Sequence, residues 1–480
     1  MRRLAIATGM VALAGLAGPV HGSAATTQGP DYVATDNVQF IKNISLPGVA
    51  VGARIIGHYL YMTSTRDMEI YDISTPENPQ MVSQLTNAEF GWENEQVPTN
   101  GRILGFSQSG TAPIAGGGGC LVTEPGTTSN CLVIWDVTDK SNPKIIQYIN
   151  GSGDHTSTCI LSCTYMWGSA GSVSDLTHIG DPGHPASRIS TGSGAGTGWQ
   201  AGLPGKSCHH QTEVSNGIIL AACQPFMLLS VLPKDGGSVL HPKLLATGTS
   251  ADGRFIHSTL WPNLATDRFA LIGGETNFQP ECGIVSNGAF MTWDTSTVGK
   301  NGRFNQIDEY RVTNGTYTTG GPPVNVLGCS VHWFEEHPSF HNGGLVALAA
   351  YESGTRFLQV DAQGKIHEQG WFIPIGRGST SAPHWAPNSN VLYSIDYERG
   401  IDVLKWTGPL YSDRTSGPVS SNGAGTGGGA VAAPSAASGT GLANTGSGSA
   451  RLSAAVPAAG VALLALAGGR LRRRARPVIA

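Results

Sequence analysis

Short runs rich in Val, Ile, Tyr, Trp and Phe, many with period-two patterning, recur along most of the chain, divided by Gly, Asn, Asp and Pro. The clearest run is Cys131-Leu-Val-Ile-Trp-Asp136, a strand pattern closed by an aspartate; a polar turn follows and ends on Asn142-Pro143. Met68-Glu-Ile-Tyr-Asp72 repeats the pattern, with the same spacing from its aspartate to Asn78-Pro79. Alternation with period two belongs to β-strands, whose successive side chains leave opposite faces. Two copies of one strand–turn unit point to an array, and arrays on this scale build propellers or solenoids.

Seven units of about 30–60 residues, the scale of a propeller blade, can be laid out over residues 52–85, 94–149, 155–189, 198–247, 253–312, 328–373 and 378–408. The third is the weakest, carried by Thr164-Tyr-Met-Trp167 and Ser174-Asp-Leu176. Long helical patterns are absent. The expected fold is all-β, a single seven-bladed β-propeller over residues 31–409, with six or eight blades left open. Asp72, Asp136, Asp294 and Asp361 end strands, so each is expected to accept a backbone N–H in the following turn rather than to bind metal. Trp135, Trp167, Trp261, Trp293, Trp333, Trp371 and Trp385 lie mostly within strand patterns and are expected to pack between blades.

Neither end of the chain reads as fold. Arg2 and Arg3, an apolar stretch and small residues up to Ala25 make residues 1–25 a secretory signal. Residues 410–449 form a stalk of Gly, Ser, Ala, Thr, Asn and Pro, too poor in apolar surface to offset its ordering entropy. Residues 452–469 are apolar enough to form one transmembrane segment, and the Arg-rich residues 470–480 hold the tail on the cytoplasmic side. Near the end of the stalk stands Leu442-Ala443-Asn444-Thr445-Gly446. Stalk, pentapeptide, apolar span and basic tail in this order resemble a sortase cell-wall sorting signal of Gram-positive bacteria, in the Ala-containing variant of actinobacteria. The resemblance implies cleavage after Thr445, with sortase and the cell envelope as partners. A plain membrane anchor is the alternative. Either places the protein outside the cytoplasm, tethered to the wall or to the outer face of the membrane.

Composition narrows the rest. With 29 Lys and Arg against 33 Asp and Glu, the net charge is −4 even with the basic tail included. The body carries no basic stripe, and nucleic acid is excluded as a partner. Eight cysteines in a secreted chain point to disulfides. Their order suggests local pairs: Cys120 with Cys131, Cys159 with Cys163, Cys208 with Cys223, and Cys282 with Cys329.

Leu132-Val-Ile-Trp-Asp136 and its Asn-Pro, with Tyr351-Glu-Ser-Gly354 before Asp361 and Asp396-Tyr-Glu-Arg-Gly400, resemble the LVIVD repeat of secreted bacterial and archaeal propellers. The resemblance implies a propeller and says little about chemistry.

Candidate chemistry lies in histidines near the starts of units: His155, His209, His210, His257, His332 and His384. A residue at the head of an innermost strand stands near the channel mouth, so imidazoles from several blades would converge on the axis. Convergent imidazoles suit copper, zinc or iron. Gln224, Glu275, Glu352 and Glu398, one strand further on, are candidate polar partners that would ligate or orient them. In architecture alone, the layout resembles propeller metalloenzymes with axial histidines such as selenium-binding proteins (methanethiol oxidases); none of that family's diagnostic motifs is present. The alternative is that the histidines are repeat residues bonding a neighbouring blade. No hydrolase nucleophile elbow is found, and the Gly-rich residues 116–119 lack the Lys and helix of a phosphate loop. Two functions fit this pattern. One is a surface-displayed module that binds a protein or small molecule on a propeller face, with no cofactor required. The other is an extracytoplasmic, oxidoreductase-like metalloenzyme.

Overall fold

The computed structural model describes residues 26–410 apart from residues 66, 86–94, 96, 109–130, 151, 153, 156, 182–184, 191–195, 251–253, 276–281, 283–287 and 314–327. The strands form seven antiparallel sheets, the blades of a β-propeller. In chain order the first blade holds Ala50–Ile56, Tyr59–Ser64, Met68–Asp72 and Gln80–Leu85. The second holds Ile103–Gln108, Cys131–Asp136 and Lys144–Asn150, with an isolated bridge from Thr99 to Leu104 on its inner side. The third is built of Ser157–Ile160, Tyr165–Gly168, Val173–Asp175 and Ser187–Ser190. The fourth runs from Lys206–Ser215 through Ile218–Gln224 and Phe226–Ser230 to Lys243–Gly248. The fifth has Ile256–Leu260, Phe269–Gly274, Phe290–Asp294 and Asn305–Tyr310. The sixth has Phe334–Glu336, Gly344–Ala349, Thr355–Val360 and Ile366–Pro374, with Tyr32–Thr35 and Thr26–Gln28 added at its outer edge. The seventh comprises Thr380–Trp385, Val391–Asp396 and Gly400–Trp406, and is completed by Val38–Ile44 from the other end of the chain. That strand closes the ring.

The apolar runs in the sequence have a direct cause. Each blade buries both faces, one against each neighbour. In Cys131–Asp136, Leu132 and Ile134 pack on the third blade while Val133 and Trp135 pack on the first. In Tyr59–Ser64, Leu60 and Met62 face the seventh blade and Tyr61 the second. An apolar cluster of this kind fills each interface around the ring. The strand-ending aspartates cap their turns: Asp72 accepts from Ser74 N at 2.8 Å, Asp136 from Thr138 N at 2.8 Å, Asp294 from Ser296 N at 3.1 Å and Asp361 from Gln363 N at 2.8 Å. Cys159–Cys163, Cys208–Cys223 and Cys282–Cys329 are disulfides. The remaining pair, Cys120 and Cys131, lies outside the described side chains, as do the leader, stalk, sorting motif and apolar span. Among the described residues no helix is long and apolar enough to cross a membrane.

In an up-and-down blade the inner strand starts at the end where the chain arrives from the previous blade. The link from second to third strand returns to that same end.

Asp396 shows how the turn motif behaves when buried. Its Oδ1 accepts from Glu398 N at 2.9 Å and Arg399 N at 3.0 Å, and the residue is fully inaccessible. Burial, helped by the charge of Asp402, pushes its carboxyl up to about 6. The folded chain therefore takes up a proton here that the unfolded chain releases nearer pH 4. This contribution to stability is fully present below about pH 4 and is lost as pH rises towards 6, a penalty of about 3 kcal/mol above that window. Asp396→Asn keeps the accepting oxygen and removes the charge. The variant is expected to be more stable than the parent at pH 7 and to lose that advantage below about pH 4, as urea melts at the two pH values would show.

Candidate metal centre

Four imidazoles meet at the mouth where the inner strands begin, one from each of four consecutive blades. His155 stands two residues before Ser157–Ile160; His209 lies within Lys206–Ser215; His257 is the second residue of Ile256–Leu260; His332 stands two residues before Phe334–Glu336. A carboxylate joins them. Glu95, in the link from first to second blade, places Oε1 3.2 Å from His155 Nε2. Its Oε2 lies 3.3 Å from His257 Nε2, 3.5 Å from His332 Nε2 and 3.9 Å from His209 Nε2. Two triads share it, Glu95 with His155 and His209, and Glu95 with His257 and His332; within each, the ligand atoms lie within 4.8 Å of one another. His257 and His332 are buried, and His155 is the accessible member, its side chain 35% exposed.

The surroundings fix these side chains. Trp333 Nε1 donates to Glu95 Oε2 at 3.1 Å. His332 Nδ1 lies 2.7 Å from the carbonyl oxygen of Ser381, which can only accept, so that nitrogen carries a proton and Nε2 is the atom that faces Glu95. Tyr351 stacks on His332 at 4.6 Å and donates its hydroxyl to Glu275 Oε1, whose other oxygen stands 3.9 Å from His257 Nε2. Burial keeps His209 and His257 below the usual histidine range, and neighbouring imidazoles push the same way. Burial also opposes charge on His332, but Glu95 outweighs it and raises that ring. Glu95 is buried as well, yet His332 and His155 hold its carboxyl well below the ordinary range. The mouth thus offers an ionised carboxylate beside two imidazoles, His209 and His257, that burial holds neutral, and a third, His332, whose affinity for a proton that carboxylate raises.

Several buried nitrogens here have no hydrogen-bond partner among the described residues: both ring nitrogens of His257, His332 Nε2 and His209 Nδ1. A buried polar atom left unpaired costs about 1–3 kcal/mol. An ion held by His257 Nε2 and His332 Nε2 would satisfy two of them, and imidazole with carboxylate is a donor set that copper, zinc and iron accept.

The other expected residues lie elsewhere. His210 is on the opposite side of its strand from His209, bonded to Thr212 Oγ1 at 2.6 Å and edge-on to Trp333 at 4.6 Å. His384 pairs with Glu335 Oε2 at 2.8 Å. Of the polar partners, Glu275 reaches the cluster. Gln224 pairs across the strands with Lys206, Glu352 is buried outside both triads, and Glu398 accepts from Gly378 N at 3.1 Å. Glu95 was not among the expected ligands; it stands four residues before Thr99, whose bridge to Leu104 marks the inner side of its blade.

Trp333 gives a direct test of how this carboxylate is held. Trp333→Phe keeps an aromatic ring and deletes the N–H. Metal affinity is expected to fall about 10- to 100-fold, the usual effect of losing a group that orients a ligand, with the fold retained. Competition against a chelator of known affinity measures it.

No protein-family model matches the chain, and no curated protein matches it. Solved structures do align. The β-propeller domain of Myceliophteria thermophila Cps50 (Swd1) covers 77% of this chain and 99% of its own at 11% identity, TM-score 0.48. A chain of the Mitotic Checkpoint Complex covers 84% of this chain and 98% of its own at 10% identity, TM-score 0.42. The computationally designed Ika8 protein covers 76% and 99% at 8% identity, TM-score 0.40. These likenesses carry no function across.

Proposed function

We propose that the chain is an extracytoplasmic metalloprotein whose propeller holds a transition metal at the mouth where the inner strands begin, through Glu95, His155, His209, His257 and His332. One observation carries the reading: buried imidazole nitrogens without hydrogen-bond partners converge on a single buried carboxylate. Structural zinc sites are closed and rich in cysteine, whereas catalytic sites combine histidine and carboxylate and keep a position open. The accessible edge at His155 supports the second kind, working on a small molecule that enters at that edge, with copper or iron giving oxidoreductase-type chemistry. Display on the cell envelope rests on the leader, stalk, Leu442–Gly446 motif, apolar span and basic tail; the disulfides suit an oxidising compartment.

Elemental analysis of secreted protein, purified without a metal-affinity step, tests the reading. Copper, zinc or iron at one or more equivalents per chain is expected. Protein without metal, whose melting temperature is unmoved by adding any of the three, would overturn it.

A further inference from the structure

We infer that the centre is built for two transition-metal ions bridged by the Glu95 carboxylate, His155 and His209 serving one ion and His257 and His332 the other. The inference rests on the metal-binding reading above and goes beyond it in assigning a second site and dividing the ligands.

The carboxylate already faces two ways. Oε1 addresses His155, at 3.2 Å; Oε2 addresses His257 and His332, at 3.3 and 3.5 Å, and stands 3.9 Å from His209, whose assignment to the His155 side rests on the ring geometry. Trp333 Nε1 takes one lone pair of Oε2 and leaves the other.

Ring geometry divides the histidines in the same way. An imidazole bound at about 2.1 Å puts its ring centre about 3.2 Å from the ion, so two such ligands at right angles have centres about 4.5 Å apart, and wider angles separate them further. His257 and His332 are 4.4 Å apart, and His155 and His209 are 5.0 Å apart. Both pairs suit neighbouring positions on one ion. His209 and His257 are 3.8 Å apart and tilted by only 32°, a near-stacked pair too close for right-angled positions on a shared ion. Stacked rings on adjacent ions meet no such conflict.

Each ion would receive two nitrogens and one carboxylate oxygen, a set that leaves coordination positions for solvent and substrate. Paired ions about 3.5–4 Å apart clamp a ligand through two oxygens or through one bridging oxygen. The substrate class is therefore a small oxygen-donor molecule able to lie between the two ions.

Copper(II) is the probe. Full-length protein is stripped with chelator, checked for retained folding by circular dichroism, reloaded with copper(II) and passed through a desalting column. Two equivalents per chain are expected, with an electron paramagnetic resonance signal well below that of the copper present, because neighbouring spins couple. His155→Ala, at the exposed edge, should hold one equivalent with a full isolated signal; His155→Gln serves if the Ala variant misfolds. One equivalent in the parent overturns the paired centre and leaves the metal reading standing, and two uncoupled equivalents overturn the bridge. No bound copper overturns both readings.

Discussion

Glu95→Gln is expected to lower metal affinity by at least about 100-fold, beyond the loss that follows from disturbing an orienting group alone. Glu95 is the one carboxylate common to both triads, and each of the four imidazoles has Nε2 within 3.9 Å of one of its oxygens. Glutamine keeps the shape and an accepting oxygen for Trp333, so packing is preserved while the negative charge and one donor oxygen are lost. Chelator competition on parent and variant reads the affinity, and circular dichroism checks the fold. An unchanged affinity would remove Glu95 from the centre.

The largest expected loss of stability is at the closing seam. Trp406 is 1% exposed, stacks on Phe357 at 5.0 Å and donates its indole N–H to Pro409 O at 3.2 Å. It pairs with Val38 in the ladder that joins the two ends of the fold, and both belong to the cluster between the sixth and seventh blades. Trp406→Ala should cost about 3–5 kcal/mol, the range for a large buried aromatic whose cavity cannot collapse. Loosening Val38–Ile44 also bares the edge of Gly400–Trp406, an edge prone to pair with other chains. Urea melts should show the lower midpoint, and size-exclusion chromatography the aggregate. A midpoint within about 1 kcal/mol of the parent would mean that the seam tolerates the cavity.

The ring was legible in the sequence because its causes are local. Both faces of a blade are buried, so Leu132 to Trp135 read as an uninterrupted apolar strand, and Asp136 announces its turn by reaching two residues ahead. The third blade was faint because its strands have only three or four residues. Part of its packing comes from outside them, where Trp199 stacks on Trp167 at 4.4 Å.

What escaped was non-local. Val38–Ile44 finds its partner at Gly400–Trp406, and nothing in its own residues names that partner. Glu95 comes from a link, where no periodicity marks a ligand. In the sequence His384 and His332 hold matching positions, yet His384 is the fifth residue of Thr380–Trp385, whereas Ser381 is the residue that meets His332. Three residues along a strand is about 10 Å, enough to carry an imidazole out of the cluster. His210 shows the same limit across the strand: one position beside a ligand, period two turns it to the other face.

The closing strand has a mechanical consequence. Gly400–Trp406, the last strand described, is hydrogen-bonded on both sides, to Val391–Asp396 and to Val38–Ile44. A load applied beyond Leu410 along that strand would shear two antiparallel ladders at once instead of peeling one edge bond by bond. Tension on the tail is thereby shared with the opposite end of the chain and with the blade interior before any single blade has to yield.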